Sequence, residues 1–498
     1  MRANKLLNSI IFRLFVLSLC VIAAGCSSER STRYPSTLLG MVSPSNHSRL
    51  KYPELGDVKI PKVERVTLAN GMQLFLLEDH ELPIVNASAM VRVGSVYEPA
   101  DKIGLASITG TVMRTGGTTS KTGDQLDEEL EQIAASVETW IGQNSGGASV
   151  SVLKDDVDKG LAILADVLMN PAFREDKIEL AKIQHRSSIA RRNDNMRPIA
   201  NREYVKVIYG PESVYARHTE YATIENITRD DLVAFHKRFY HPNNVMLAVW
   251  GDFDAKQMIK KIEGAFKGWE KADVEVPKVP QVQYDFRSTV NLVRKDDINQ
   301  SAIFLGHIGG MMNDPDYYAL TMMNAVLGEG FTSRLFKNVR SRKGLAYSVF
   351  GVYSAGYDHP GVFYVGCQTK SESTVYAIRA MIEEVKKMTA SEVTDEELAL
   401  AKDSYLNSFV FNFDSKDKII NRLMTYEYFG YPPDFLEKTK ENIEKVTKED
   451  VLRVAQKHLK PEKMQVLAVG RPQDFVEPLS VLGPVREIDI TIPAPKEK

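Results

Sequence analysis

The chain has 498 residues, with 63 Lys and Arg against 65 Asp and Glu, a net charge of −2 and 43% hydrophobic residues. That length suffices for more than one hydrophobic core, and the nearly balanced charge leaves no basic surplus of the kind nucleic acid demands. Nucleic acid is therefore not an expected partner. Taken from the start, Arg2, Lys5 and Arg13 precede an apolar run from Leu14 to Ala24. The run is too short to span a bilayer as a helix, and residues 1–25 read as a signal peptide.

Ala23, Ala24 and Gly25 lead directly to Cys26, which is followed by Ser27 and Ser28. This resembles a bacterial lipoprotein processing site, although Ala23 stands where Leu or Val is commoner. The resemblance implies lipidation of Cys26 and a mature chain anchored in the bacterial cell envelope, facing the periplasm. A simple signal peptide cut elsewhere is the alternative. Residues 26–61 are rich in Ser, Pro, Arg and Lys without hydrophobic period, and are expected to be a tether. With Cys20 in the signal and Cys26 lipidated, only Cys367 remains, so no intramolecular disulfide is expected.

Beyond the tether, Asn70-Gly71 marks a hairpin between Val66–Leu68 and Met72–Leu77. Val85, Ala87, Ala89, Val91 and Val93 alternate with polar or bulkier neighbours as a half-buried strand does. Asp156 to Met169 is an amphipathic helix with Val157, Leu161, Leu164 and Leu168 on one stripe. A duplication is also legible. Thr228, Asp231, Pro242 and Gly251 recur at a constant offset as Thr447, Asp450, Pro461 and Gly470. Leu180-Ala181-Lys182 recurs as Leu400-Ala401-Lys402, and Gly117-x-Thr-Ser as Gly330-x-Thr-Ser. So long a period means two homologous domains. The expected fold is α+β: domains over residues 62–268 and 285–490, a linker over 269–284, antiparallel-rich sheets with flanking helices, and a hinged clamshell as the whole.

The segment Ser333 to Phe350 reads as a helix with a basic last turn, a left-handed exit at Gly344 and a strand after it. Its wording, Arg-Leu-Phe-x-x-Val-Arg-x-x-x-Gly-Leu-Ala-Tyr-Ser-Val, resembles the second-half signature of the insulinase/pitrilysin zinc peptidases, in the branch containing the mitochondrial processing peptidase. The resemblance implies that Arg340 and Tyr347 bind substrate backbone near the scissile carbonyl. It also implies an inverted zincin helix, His-x-x-Glu-His, after Gly104-Leu105-Ala106. Here Ser107 and Thr111 stand at the two His positions and Gly110 at the Glu, while Ser188 matches the third ligand. No acid, imidazole or thiol lies between Ile103 and Thr115, so no metal site is expected in this chain. His185 is the only ligand type on the later helix, and His236 and His241 are wrongly spaced to share a helix face. Three functions stay open at this point. The chain is a noncatalytic subunit that binds peptide and lends Arg340 and Tyr347 to a zinc-bearing partner of the same family. Or it is a peptide-binding or scaffold lipoprotein with no proteolytic role. Or it is an enzyme through a site the motifs do not reveal.

Overall fold

The computed structural model describes residues 61–495, so Cys26 and the signal peptide lie outside the described residues, as does the tether up to residue 60. The hairpin forms as its turn chemistry demands: β1 (Glu64–Thr67) pairs antiparallel with β2 (Gln73–Glu78), and Gly71 takes the positive φ of +90° between them. β3 (Ile84–Val91) then shows strict alternation, every second residue buried. Next come α1 (Leu105–Thr115), α2 (Gly123–Gln132), β4 (Ser136–Ile141), β5 (Gly146–Leu153), α3 (Val157–Met169), α4 (Glu175–Arg191), α5 (Met196–Tyr209), α6 (Tyr221–Glu225), α7 (Arg229–Phe239), β6 (Val245–Gly251) and α8 (Ala255–Ala265). The six strands form one sheet in the order β1-β2-β6-β3-β5-β4.

The second half runs through β7 (Thr289–Arg294), β8 (Gln300–Ile308), the short β9 (Gly310–Met311), α9 (Tyr317–Gly328), β10 (Ser348–Tyr353), the short β11 (Ala355–Gly356), β12 (Val362–Lys370), α10 (Thr374–Ala390), α11 (Asp395–Phe409), α12 (Lys416–Phe429), α13 (Phe435–Lys445), α14 (Lys448–His458), β13 (Gln465–Gly470) and β14 (Val485–Glu487). Its sheet order is β10-β12-β8-β13-β7-β14. Read from the other edge, five of its six positions repeat the first sheet: β13 runs parallel to β7 as β6 does to β2, and antiparallel to β8 as β6 does to β3. One edge strand differs, β14 pairing parallel where β1 pairs antiparallel. The duplication read from spacing is thus a duplication of topology. The repeated Thr residues do the same job in each half: Thr228 and Thr447 cap α7 and α14, each in a reciprocal box with the Asp three residues on. Antiparallel pairings predominate in both sheets, with helices on their faces.

Each sheet buries its outer face under helices of its own half: α1, α3 and α8 cover the first sheet, with α7 packed on α1, and α9 and α10 cover the second, with α14 packed on both. The inner faces are covered by exchange. α5, from the first half, lays Ile199, Ala200, Tyr204 and Ile208 on Val293, Phe304, Leu467 and Val469 of the second sheet. α12, from the second half, lays Ile420, Met424 and Tyr428 on Phe75, Leu77, Met246 and Ala248 of the first. The segment 270–288 between the halves has no regular structure; just before it, Trp269 stacks on Phe266 inside the first core. Among the described residues no helix is long and apolar enough to cross a membrane.

Candidate functional site

The segment around Arg340 departs from the expected helix in one respect: from Phe336 to Arg342 it is wound as a π-helix. Such turns are uncommon and concentrate at functional sites. Leu335 and Val339 anchor it in the core, as their shared face required. It ends as its sequence asks, with Gly344 at φ +62° and the Leu345 N–H donating back to Val339 O at 3.0 Å. The strand begins later than alternation suggests, at Ser348. The Leu345 carbonyl is instead held by the Thr369 hydroxyl, and Tyr347 stands outside the sheet with 84% of its surface exposed.

This geometry brings Arg340 and Tyr347 together. The guanidinium lies 4.5 Å from the ring centroid of Phe336, one turn earlier, and 5.4 Å from that of Tyr347. Two aromatic contacts hold the cation, and no carboxylate pairs with it among the described residues. The neighbouring Arg334, by contrast, is tied to Glu397 by two bonds of 2.7 and 2.8 Å, and Arg342 donates to Asn338. Arg340 is therefore positioned but unspent: its N–H edges remain available to an incoming carbonyl or carboxylate. The part played by Phe336 was readable in principle from its place four residues before Arg340, on the same face. Phe331, 77% exposed and 5.0 Å from Phe336, extends the aromatic surface.

The erased metal positions lie on α1 and α4, which pack together. Ser107 is half-buried with its hydroxyl 3.4 Å from His185 Nε2, and Thr111 is exposed. Ser188 is also exposed and donates to Gln184 O of its own helix at 3.1 Å, so the structure brings His185 to Ser107 and leaves Ser188 turned to its own backbone. Burial pushes the His185 pKa down, which keeps the ring neutral. Gly110 is the decisive residue. A Cβ added there would stand against the backbone of β4, at Ile141 N and within 2.8 Å of the Trp140 carbonyl carbon, and its own carbonyl accepts the Thr139 hydroxyl at 2.5 Å. No carboxylate side chain fits that position. Two hydroxyls and one imidazole make a donor set that does not fit zinc.

At the start of α1 the sequence reading overlooked Glu98. It is buried, accepts the amides of Ala106 at 2.5 Å and Gly104 at 3.2 Å, and so caps the helix in place of a local side chain. Burial outweighs these bonds and raises its pKa to about 7. A second cluster, Asp314, Asp316 and His458, has carboxylate and imidazole atoms close enough to share a cation. Asp316 already binds Arg453 and Lys457 at 2.6 Å and His458 at 2.8 Å, so the cluster is an ion-pair knot tying α9 to α14.

Two family profiles match the sequence: "Insulinase (Peptidase family M16)" over residues 74–213 and "Peptidase M16 inactive domain" over residues 226–405. A Rickettsia felis protein named "uncharacterized zinc protease" is 25% identical over 78% of this chain and 93% of its own length. The "non-peptidase homolog YmxG" of Helicobacter pylori is 24% identical over 82% of this chain and 92% of its own. Among solved structures, the "peptidase M16 inactive domain" of Pseudomonas fluorescens shares the fold with a TM-score of 0.75 at 24% identity, over 82% of this chain and 98% of that one. With two profiles of one family matching successive stretches of a duplicated fold, and with no His-x-x-Glu-His after Gly104-Leu105-Ala106, the chain belongs to the insulinase family, peptidase family M16, as a member that lacks the catalytic motif.

Proposed function

We propose that this chain is the noncatalytic subunit of a heterodimeric insulinase-family metallopeptidase, binding peptide through Arg340 and Tyr347 while a second chain of the family carries the metal. The observation that carries this reading is the contrast between the two halves. In the first, Gly110 is sealed against β4 where a general base would stand; in the second, a guanidinium is held between two rings with its donors unspent. Tyr347 immediately precedes β10, which is an edge strand of its sheet. A peptide lying along such an edge as an added strand leaves its scissile carbonyl in need of donors, and Arg340 and Tyr347 supply N–H and O–H as negative charge develops on that oxygen.

Losing a charge-assisted hydrogen bond costs roughly 2–3 kcal/mol, so Arg340→Ala in the reconstituted complex is expected to lower kcat/KM by about one to two decades. Assembly should survive, because among the described residues the side chain makes no ion pair or hydrogen bond and rests on the rings of Phe336 and Tyr347. If Arg340 merely finishes a helix, the variant loses about 0.3–1 kcal/mol of stability and turns over normally. Measuring Tm and peptide turnover on the same complex separates the two. A complex with no turnover at all, despite intact metal in the partner, favours a peptide-binding scaffold instead. We further propose that the chain is lipid-anchored through Cys26 in the bacterial envelope and faces the periplasm. Acyl labelling that persists in Cys26→Ser would remove that part of the reading.

A further inference from the structure

The exchanged helix α5 does not cover its sheet evenly. Residues 289, 291 and 293 of β7 share the face that meets α5. Val293 at one end joins the apolar core, whereas Thr289 and Asn291 at the other end meet a cavity of about 470 Å³. Register adds to that polar end. Gln465 on β13 pairs with Thr289, and Arg486 on β14 pairs with Asn291, so all four side chains project from one face of three adjacent strands. The last two turns of α5 close the opposite wall with Glu203, Lys206 and Val207.

Two of these groups are buried and only partly satisfied. Asn291 is 2% exposed and spends its amide N–H₂ on Thr289 Oγ1 and Val466 O, both at 2.9 Å, while its Oδ1 accepts no bond among the described residues. Gln465 is 3% exposed; its Oε1 accepts the Thr289 hydroxyl at 3.2 Å and its Nε2 donates to nothing described. One amide thus opens a free acceptor to the cavity and the other a free donor, the pair that a peptide group satisfies from both sides. Charge is arranged around them. Glu203 is neutralised by Arg202 at 2.6 Å and Lys206 at 3.1 Å, and Arg287 by Asp285 at 3.1 Å, but Arg486 at the mouth has no acid partner among the described residues. The volume falls within the roughly 300–1,000 Å³ typical of small-ligand sites, and the cavity sits between elements of the two halves.

We propose that this cleft binds the free carboxyl end of a peptide: the terminal carboxylate on Arg486, the preceding peptide group between Asn291 Oδ1 and Gln465 Nε2, and the last side chain against Val207 and Pro211. The choice of a peptide over another carboxylate rests on the proposed peptide-handling function; the site itself is separate from Arg340 and Tyr347. Calorimetric titration of the purified chain with acetyl-Ala-Ala-Ala, with its C-terminal amide and with inorganic phosphate tests it. The free acid is expected to bind and the amide at least tenfold more weakly. Arg486→Ala, an exposed position, is expected to weaken the acid at least tenfold, and Gln465→Leu to do the same if it folds. Arg340→Ala is expected to leave this affinity unchanged. Equal affinity for acid and amide, unaltered affinity in Arg486→Ala, tighter binding of phosphate than of the tripeptide, or no binding at millimolar concentration would each overturn the assignment. None of those results bears on turnover by the complex, so the two readings fail separately.

Discussion

At the scale of single residues, the first half not only lacks the family's metal ligands but is closed at the general-base position between them. Gly110 matches the position of the family's general base, and β4 occupies the space such a side chain would need. Overpacking against backbone costs typically about 1–3 kcal/mol, so Gly110→Ala should lower stability by about that much in chemical denaturation, while Thr111→His, on an exposed position, should cost under about 0.5 kcal/mol. The triple change Ser107→His, Gly110→Glu and Thr111→His, which rewrites the motif, should therefore give a destabilised protein without stoichiometric zinc. Elemental analysis showing one zinc per chain, with an unaltered Tm, would contradict this. That the ligand types were absent could be read directly from the letters. That they could not be put back could not, because it depends on how closely α1 approaches a strand some thirty residues further on.

Among elements, those that local chemistry decides were legible: the Asn-Gly hairpin, the repeated helix starts after Thr228 and Thr447, and the alternating β3. The elements that surprised are those set by tertiary contact. The π-helix at Phe336 and the late start of β10 depend on how Leu335, Val339 and the Leu345 carbonyl are held. Helix α1 belongs here too, since its cap is a carboxylate from outside the helix. Because burial lifts the Glu98 pKa to about 7, the unfolded chain ionises there before the folded one does. Its contribution is therefore fully present in acid and is lost as pH rises from about 4.5 through about 7, on the order of 3 kcal/mol. Glu98→Gln should flatten that part of the stability profile, as followed by urea unfolding between about pH 5 and pH 8.

On the scale of the whole molecule, buried histidines act in the opposite sense. His236 donates to Leu168 O at 2.9 Å, and His307 is bonded on both ring nitrogens, to Ile308 O at 2.7 Å and by the Lys460 amide at 3.1 Å. Burial lowers each to about 4. A depressed folded pKa means stability that is present above about pH 6.5 and lost as pH falls towards 4, on the order of 3 kcal/mol for each ring. Acid unfolding should therefore set in below about pH 6 and shift to lower pH in His307→Gln. The helix exchange makes the molecule one cooperative unit. Met424→Ala empties a fully buried position between α12 and the first sheet, and should cost about 2–5 kcal/mol while calorimetry still shows a single transition. Two separate transitions would mean that the halves unfold independently. The exchange itself was not legible. The apolar positions of α5 and α12 announce a buried face in each, but periodicity carries no record of which of two similar sheets a helix will choose.

That choice has a consequence for how the chain can be made. The first sheet is complete in strands once Gly251 has been added, yet Phe75, Leu77 and Met246 stay bare until Met424 arrives. A growing chain thus carries an unfinished, adhesive surface through most of the synthesis of its second half, and its closing contacts span more than three hundred residues of sequence. Loop closure on that scale makes folding slow and exposes the intermediate to aggregation. Duplicated domains of this kind cannot mature one after the other. The second sheet finds α5 already made, but the first waits for α12, so a truncation or stalled chain ending before Phe429 is expected to yield an aggregation-prone fragment rather than half a working protein.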